Sequence, residues 1–536
     1  MRGDKYTYLT TAIDYANGPP HIGHAFEKIG ADAMVRYRRL KGEQVRFVIG
    51  MDEHGLKVLQ SAEAAGVTPQ AWADGIASKF EEMWRALGIS NDDFIRTTQP
   101  RHHRAVEVMI ERMQAADDLY RGKYEGLYCV GCEAFKTDAE LVSVATLEAA
   151  AEAGTGADGV AGGVHSEGLT AEERVARLRC PIHPSRQLVW SQEENWFFRL
   201  SRYGERLLKL LAERPEFVQP ESRRNEIRRV LEGGLEDISV SRSRLGWGVP
   251  WPGDPEHTVY VWIDALTNYL SAVGFPDPGY GQFWPADVHV IGKDITRFHC
   301  IYWPAMLMSA EVELPRTVWG HGFVTFGGAK VSKSEGGARV DLTELVELRG
   351  ADALRYFLLR EVPWNGDGEI SAQRYDERYT SDLANNLGNL VNRVISMIER
   401  YREGVVPPGA QTALDPEIAA ALVRYRGAMD ANLLQQGAAA AIELGQAANA
   451  FVGDRAPWNQ AKDPALAGEL DATLSSLARA LAAIASMLFP FMPAKMTDLA
   501  SRLGLEAPLP LESLAALELA GRRMHKGEVL FPRPQE

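Results

Sequence analysis

The chain has 536 residues, 46% hydrophobic and 24% charged, with 58 Lys and Arg against 72 Asp and Glu for a formal net charge of −14. That length implies about three or four domains or large insertions, and the composition excludes a disordered tail, a collagen and a small disulfide-stapled scaffold. A chain this acidic does not hold nucleic acid by bulk attraction, so any such contact needs local basic patches.

The N-terminus, MRGDKYTYLTTAIDYANG, lacks the apolar stretch of a secretory signal, and a cytoplasmic location is expected. Lys5 to Thr10 is a predicted strand and Asn17-Gly18-Pro19-Pro20 a turn. From His24 a helix is expected, with Phe26, Ile29, Ala33, Tyr37 and Leu40 on one buried stripe and Lys41-Gly42 at its end. Val45 to Ile49 is a second strand, followed by Gly50-Met51-Asp52-Glu53-His54-Gly55 as a loop. This β-α-β order predicts a doubly wound parallel α/β sheet of the Rossmann-like kind, with ligands at the carboxyl ends of its strands.

From about Tyr120 turn-rich sequence carries a first cysteine pair, and 147–168 is an Ala/Gly/Glu stretch expected to be flexible or weakly helical. Thr258 to Ile263 and Val288 to Ile291 are predicted strands of the second half of the same, split sheet. After Leu342 the pattern is almost wholly helical. Leu383, Leu387, Leu390, Val394, Met397 and Tyr401 form an apolar stripe, opposite a donor-bearing stripe of Asn386, Asn389, Arg393, Ser396 and Arg400. The longest near-apolar run, Ala480 to Phe489, is short of the ~20 residues that span a bilayer and fits a buried helix of an α-bundle. No internal repeat is evident.

Two motifs carry phosphate chemistry. His21-Ile22-Gly23-His24 puts two imidazoles and a glycine at a helix start, where backbone donors and the dipole favour an anion. Lys330-Val331-Ser332-Lys333-Ser334, followed by Glu335-Gly336-Gly337, is a cationic loop able to close on a polyphosphate. Singly, each is more often polar surface; about 300 residues apart on a split α/β sheet, together they are far more specific and point to one site.

A third constellation is Cys129-x-x-Cys132 with Cys180-x-x-His183. A lone Cys-x-x-Cys can be a redox pair; the second pair completes the Cys3His set of a zinc knuckle, closed and therefore structural. The long gap is tolerable because loop closure costs only ~0.6 kcal/mol per doubling of length. Four cysteines are too few for a disulfide framework, and Cys300, outside the set, is expected to be a buried thiol.

The two phosphate motifs resemble the H-I-G-H and K-M-S-K-S signatures of the class I aminoacyl-tRNA synthetases, with Val331 in place of Met. Ala12-Ile13-Asp14-Tyr15, Gly50 to Gly55, Val261-Trp262-Ile263-Asp264-Ala265 with Tyr269, Gly292-Lys293-Asp294-Ile295 through His299, Ala456-Pro457-Trp458 and Leu530-Phe531-Pro532-Arg533 are similar to segments of the methionine-specific branch. The resemblance covers nearly the whole chain. It implies a catalytic domain in two halves (1–118 and 236–325) around a zinc-knuckle insertion (119–235), a linking region with the lysine loop (326–380) and an α-helical bundle that binds the anticodon (381–536).

The resemblance also implies site residues. Ile13, Tyr15, Trp262, Ala265, Tyr269, Ile295 and His299 would line the methionine pocket, with Tyr15 and His299 offering weak polar contacts to the sulfur, and Asp52 would hold the ammonium. His21, His24, Lys330 and Lys333 would be catalytic; His21, His24, Gly292, Asp294 and Lys333 would bind ATP. Asn389, Arg393 and Trp458 would bind the anticodon, unstacked bases stacking on the indole. Zn2+ would sit at Cys129, Cys132, Cys180 and His183, and Mg2+ would arrive with ATP. Partners would be tRNA(Met), L-methionine and ATP, with no membrane, and the end of the chain soon after Arg533 implies a monomer. Asp14 and Leu266 depart from the family pattern. The implied activity is methionine–tRNA ligation; the alternatives are a class I synthetase for another amino acid and a non-catalytic tRNA-binding paralogue.

Overall fold

The computed structural model describes residues 6–132, 134–152, 163–164, 166, 168–243, 245–326, 329–330 and 341–533. In chain order come β1 (Thr7–Thr11), β2 (Asp14–Tyr15), α1 (Ile22–Leu40), β3 (Val45–Asp52), α2 (Leu56–Ala65), α3 (Pro69–Ala86), β4 (Asp93–Arg96) and α4 (Pro100–Ala115). β1 and β2 lie in line along one side of β3, and β4 pairs in parallel with its other side. β3 is longer than its sequence suggests: Gly50, Met51 and Asp52 continue the strand, and only 53–55 form the loop. Gly50 is required there because a Cβ would meet Ile95 O of β4 at 2.1 Å.

Helix α1 begins at Ile22, two residues before the expected start, because the histidine motif itself supplies the cap. The predicted stripe from Phe26 to Leu40 is buried, and so are most of its other positions, 14 of 19 residues in all. The cause is position: α1 lies between the sheet and later helices, so it has little solvent face.

The insertion comprises β5 (Leu119–Cys129), β6 (Ala134–Lys136), β7 (Val142–Ser143), α5 (Val144–Glu152), α6 (Ala171–Arg177), β8 (Leu178–Arg179) and β9 (Val189–Phe198). Its backbone is the long antiparallel ladder of β5 and β9. Of the stretch expected to be flexible or weakly helical, α5 takes residues up to Glu152; 153–162, 165 and 167 lie outside the described residues. Next come α7 (Gly204–Glu213), β10 (Val218–Gln219) and α8 (Glu221–Glu232). β10 already belongs to the main parallel sheet, so the chain returns to that sheet before residue 235, the expected end of the insertion.

The second half follows as β11 (Ile238–Ser239), β12 (Ser241–Ser243), β13 (Pro250–Trp251), β14 (Asp254–Val259), α9 (Val261–Leu266), α10 (Asn268–Ser271), β15 (Val288–Gly292), α11 (Trp303–Ser309), β16 (Thr317–His321), β17 (Val324–Phe326) and β18 (Ala329–Lys330). The expected strand at Thr258–Ile263 is corrected. β14 ends at Val259 in a separate antiparallel sheet with β12 and β13, and α9 begins at Val261. The β-branched run favours a strand, but a short helix sets Trp262 and Ala265 three apart on one face while burying Ile263 and Leu266. β15, by contrast, lies where expected.

The main sheet runs β10-β16-β15-β1-β3, completed by β2 and β4 on β3, with every pairing parallel. The chain diverges in opposite directions from β1 and β15, so their carboxyl ends form the crevice in which doubly wound sheets bind ligands.

The rest is helical apart from β19 (Gly368–Ile370), which pairs with β17: α12 (Leu342–Arg349), α13 (Ala351–Glu361), α14 (Ala372–Arg378), α15 (Asn389–Arg402), α16 (Leu414–Asp430), α17 (Leu434–Arg455), α18 (Pro457–Gln460), α19 (Ala467–Leu488) and α20 (Pro493–Arg502). The helix expected over Leu383–Tyr401 opens in a π-helical segment, Tyr379–Gly388. Leu383, Leu387, Leu390 and Val394 are buried as predicted. Asn386 is not a surface donor: its Nδ2 donates to Ile442 O (3.1 Å) and its Oδ1 accepts from Asn449 Nδ2 (2.9 Å), tying this segment to α17. Ala480 to Leu488 lies inside α19 and is buried, and among the described residues no helix is long and apolar enough to cross a membrane.

One hydrophobic core runs from the α1 face of the sheet into the bundle without interruption. At their junction Arg355 of α13 is fully buried. It donates to Asp32 Oδ2 of α1 (2.6 Å), to Leu87 O (3.1 Å) and to the carbonyls of Pro490 (2.9 Å) and Phe491 (3.1 Å) beyond α19. Burial pushes the Asp32 carboxyl up, but Arg355 and Arg36 outweigh it and hold the group below its usual range.

Candidate active site

A cavity of about 1830 Å³ opens at the switch point. Its wall includes His21, His24, Ile13, Tyr15, Asp52, Trp262, Ala265, Tyr269, Gly292, Asp294, Ile295 and His299, together with Cys132 and His183 of the knuckle. All the expected methionine-pocket residues and the described nucleotide-side residues therefore share one space. Lys330 ends β18, paired with Thr325 of β17 on the hairpin that leaves the cavity rim at Phe323 and Val324. Lys333 and Val331 lie outside the described residues.

The two histidines cap α1 reciprocally. His21 Nδ1 accepts from Gly23 N–H (3.1 Å), and His24 Nδ1 accepts from the His21 N–H (3.2 Å). With both Nδ1 atoms acting as acceptors, each neutral ring carries its proton on Nε2. The rings stack with centroids 3.7 Å apart. Gly23 permits this, since a Cβ would stand 3.0 Å from the His21 ring.

At the pocket end, His299 Nδ1–H donates to Ile295 O (3.0 Å), so its Nε2 accepts the Tyr269 hydroxyl proton (2.7 Å). Both ring nitrogens are thus engaged, and a direct His299 contact to a thioether competes with Tyr269. Burial pushes His299 down to about 4, leaving a neutral, polarizable lining. Trp262 stacks on Phe298 at 3.7 Å, and Tyr269 stacks on His289 at 4.2 Å. Because the folded pKa lies below the unfolded value of ~6.5, the unfolded chain takes up this proton first. The stabilisation is complete above pH 6.5 and declines as pH falls toward 4, by ~3 kcal/mol in total. Denaturant titrations across pH 4–7 should show that slope, and His299→Gln should flatten it.

Several groups escaped the sequence reading. Asp14, a departure from the family pattern, is explained by Lys28. The buried Lys28 ammonium donates to Ala12 O (2.9 Å), Asp14 Oδ1 (2.9 Å) and Glu27 Oε1 (2.8 Å), and Glu27 Oε2 lies 3.2 Å from His321 Nε2. Burial opposes every charge in this set, yet the pairing prevails: Lys28 is raised and Glu27 lowered. Glu53 is pinned by Arg96 Nε (2.6 Å) and Thr98 Oγ1 (2.5 Å). Arg242 enters the cavity wall with its guanidinium 4.2 Å from the Tyr260 ring centre. Glu27, Lys28, Arg96 and Arg242 carry no local motif, whereas Asp14 and Glu53 sit in segments whose resemblance gave them no role. Leu266, the other departure, is buried in the wall.

In the knuckle, Cys132 Sγ lies 3.3 Å from His183 Nδ1 and 3.5 Å from Cys180 Sγ, and Cys129 Sγ lies 3.7 Å from His183 Nδ1. All four donor atoms fall within 4.8 Å of one another. Tetrahedral Zn2+ with Zn–S ≈ 2.3 and Zn–N ≈ 2.0 Å requires separations of roughly 3.5–3.8 Å, so the donor set fits. Gly131 makes room, as a Cβ would be 2.3 Å from the His183 ring. Among the described residues the buried apolar cluster of this subdomain is Leu127, Leu141, Leu178 and Leu188 with Cys129 and Cys180, flanked by the half-buried Val164, Val175 and Trp190. A core that small needs a cross-link, which is what a structural metal supplies. Lys57 Nζ of α2 donates to Gly131 O, fastening the knuckle to the first half of the parallel-sheet core.

Of the expected anticodon residues, Asn389 is exposed in the first turn of α15, Arg393 is half-buried one turn on, and Trp458 in α18 is 42% exposed. They lie on the bundle and outside the cavity lining.

A family model described as tRNA synthetases class I (M) matches residues 7–395. A methionine–tRNA ligase of Caldanaerobacter subterraneus is 41% identical over 539 residues, covering 99% of this chain and 79% of the relative. One from Brucella melitensis is 42% identical over 543 residues, covering 99% and 98%. The crystal structure of Mycobacterium tuberculosis methionyl-tRNA synthetase bound by methionyl-adenylate superposes with a TM-score of 0.88 at 39% identity, covering 98% of this chain and all of that one.

Proposed function

Since this chain belongs to the methionine–tRNA ligases of class I, we propose that the cavity at the sheet's switch point carries both half-reactions with the residues placed around it. The enzyme activates L-methionine with ATP and passes the methionyl group to tRNA. The observation that carries the residue assignment is convergence. The imidazoles of His21 and His24 and the carboxylate of Asp52 share one cavity with the neutral aromatic lining formed by Trp262, Tyr269 and His299.

In the first step the methionine carboxylate attacks the α-phosphate of ATP in line, and pyrophosphate leaves. Asp52, at the carboxyl end of β3, takes the ammonium. Ile13, Tyr15, Trp262, Ala265, Tyr269 and Ile295 enclose the side chain, and the Tyr269–His299 pair closes the pocket's far end. His21 and His24 offer Nε2–H donors to the phosphates, and Lys330 and Lys333 would supply the cationic charge that completes the phosphate site. Gly292 and Asp294 serve the adenosine. Rate enhancement then comes from orientation and from charge stabilisation in the transition state. Mg2+ would be held chiefly by the phosphates; the cysteine–histidine set is the single metal-ligating group among the described residues. In the second step the terminal ribose of tRNA(Met) attacks the adenylate.

We divide the chain accordingly into a split catalytic core, the knuckle insertion, a linking region and the helical anticodon domain, with the core resumed at β10. A methionine-dependent pyrophosphate exchange assay against a panel of amino acids tests the pocket assignment; comparable exchange with leucine or cysteine would refute it.

Zn2+ at Cys129, Cys132, Cys180 and His183 is structural. Cys180→Ala should bring the metal content from one equivalent per chain to near zero and expose the knuckle to proteolysis. Stoichiometric zinc in that variant would remove the assignment. Trp458→Ala should weaken tRNA charging, read as kcat/KM for tRNA(Met), by about 5- to 100-fold, the worth of one base stacked on an aromatic ring. Pyrophosphate exchange should be unaffected, and equal loss of both activities would make Trp458 a structural residue.

A further inference from the structure

Asp264 stands on α9 between the pocket-wall residues Trp262 and Ala265, and no step above uses it. It is wholly buried, and its oxygens take separate partners. Oδ2 lies 2.6 Å from His54 Nδ1, and Oδ1 lies 2.7 Å from His102 Nε2. His54 sits two residues beyond Asp52, in the loop from β3 to α2. His102 belongs to the first turn of α4, and its Nδ1 lies 2.9 Å from Ser271 Oγ of α10. One carboxylate thus joins the loop behind the ammonium site, the helix of the side-chain wall and a supporting helix. Burial pushes the Asp264 carboxyl up, but His54 and His102 outweigh it and hold it well below the usual range. It stays ionised and accepts on both oxygens.

The same loop is fixed independently at Glu53, whose backbone N–H donates to Thr97 Oγ1 (3.0 Å) and whose carboxylate meets Arg96 and Thr98. Those contacts hold the loop to β4 and its sequel. Its distance from α9 is set by the His54–Asp264 bond.

We propose that Asp264 is a positioning residue that fixes the span between the Asp52 carboxylate and the wall at Trp262 and Ala265, and so sets the side-chain length the enzyme activates. The proposal rests on the assignment of those residues to the ammonium and the side chain. Its physical motive is that apolar packing alone separates substrates differing by one methylene by only about 10- to 200-fold. A pocket whose two ends are free to drift would lose part of even that.

The test is pyrophosphate exchange with the full chain, comparing methionine with ethionine, one methylene longer, and S-methylcysteine, one shorter. Asp264→Asn should raise KM for methionine about tenfold, leave KM for ATP within about twofold, and reduce the preference for methionine over both analogues by about fivefold or more. His54→Leu should reproduce this pattern. His54→Asn, whose amide N–H reaches the position of Nδ1, should restore most of it. Unchanged methionine KM and preferences in both Asp264→Asn and His54→Leu overturn the proposal, as does a fall in kcat with preferences intact. If Asp264→Asn does not fold, the His54 pair decides, and His54→Asn behaving no better than His54→Leu is again fatal. Failure of the underlying assignment shows separately, as a normal methionine KM in Asp52→Asn.

Discussion

His21→Asn will lower the rate of methionyl-adenylate formation by about 10²- to 10³-fold, the usual effect of removing one preorganised donor from a developing anionic charge. The variant isolates chemistry from folding because His21 has two functions. Its Nδ1 caps α1 by accepting from Gly23 N–H, and its Nε2–H is directed by that same bond away from the helix start. Asparagine is among the preferred N-cap residues and keeps the first function while losing the second. His21→Ala loses both and should in addition destabilise the fold by about 1 kcal/mol. Single-turnover adenylate formation and denaturant titration on the two variants check this. Near-normal rates in His21→Asn would leave the histidine with capping alone.

Asp52→Asn will lower kcat/KM for methionine by about 30- to 5000-fold with KM for ATP little changed, since breaking a buried charge-assisted pair costs about 2–5 kcal/mol. Asp52 is 9% exposed at the end of β3, beside a loop held by Glu53 and His54, so the substituted amide has little freedom to relax. Methionine analogues without an amino group should lose the distinction between the two proteins. Equal sensitivity of amine and des-amino ligands would show that Asp52 does not hold the ammonium.

The parts legible in the sequence were those written in short range. The α1 stripe, the strand at Val288 and the Cys-x-x-Cys and Cys-x-x-His pairs each declare themselves within a few residues, and the structure places them as expected. The knuckle set assembles across a long gap because its spacing pattern is local at both ends. What stayed hidden depends on tertiary partners. Thr258 to Ile263 has strand propensity yet is divided between β14 and α9, since Trp262 and Ala265 must face the cavity together. Asn386 has the period of an exposed donor yet bonds α17. β10 is too short to announce itself and earns its place in the sheet only through β16. Asp14 of β2 looked like a departure until Lys28, packed against it from α1, supplied its counter-charge. The Lys333 loop, legible as a motif, lies outside the described residues.

The Arg355 junction has a practical consequence for anyone seeking a smaller enzyme. Removing the bundle would strip the carbonyls of Pro490 and Phe491 from a guanidinium already locked onto Asp32. It would also leave the outward side of α1 wet, the very rod whose first turn presents the two imidazoles. Shortened versions ending near residue 380 should therefore aggregate or lose register at the nucleotide end.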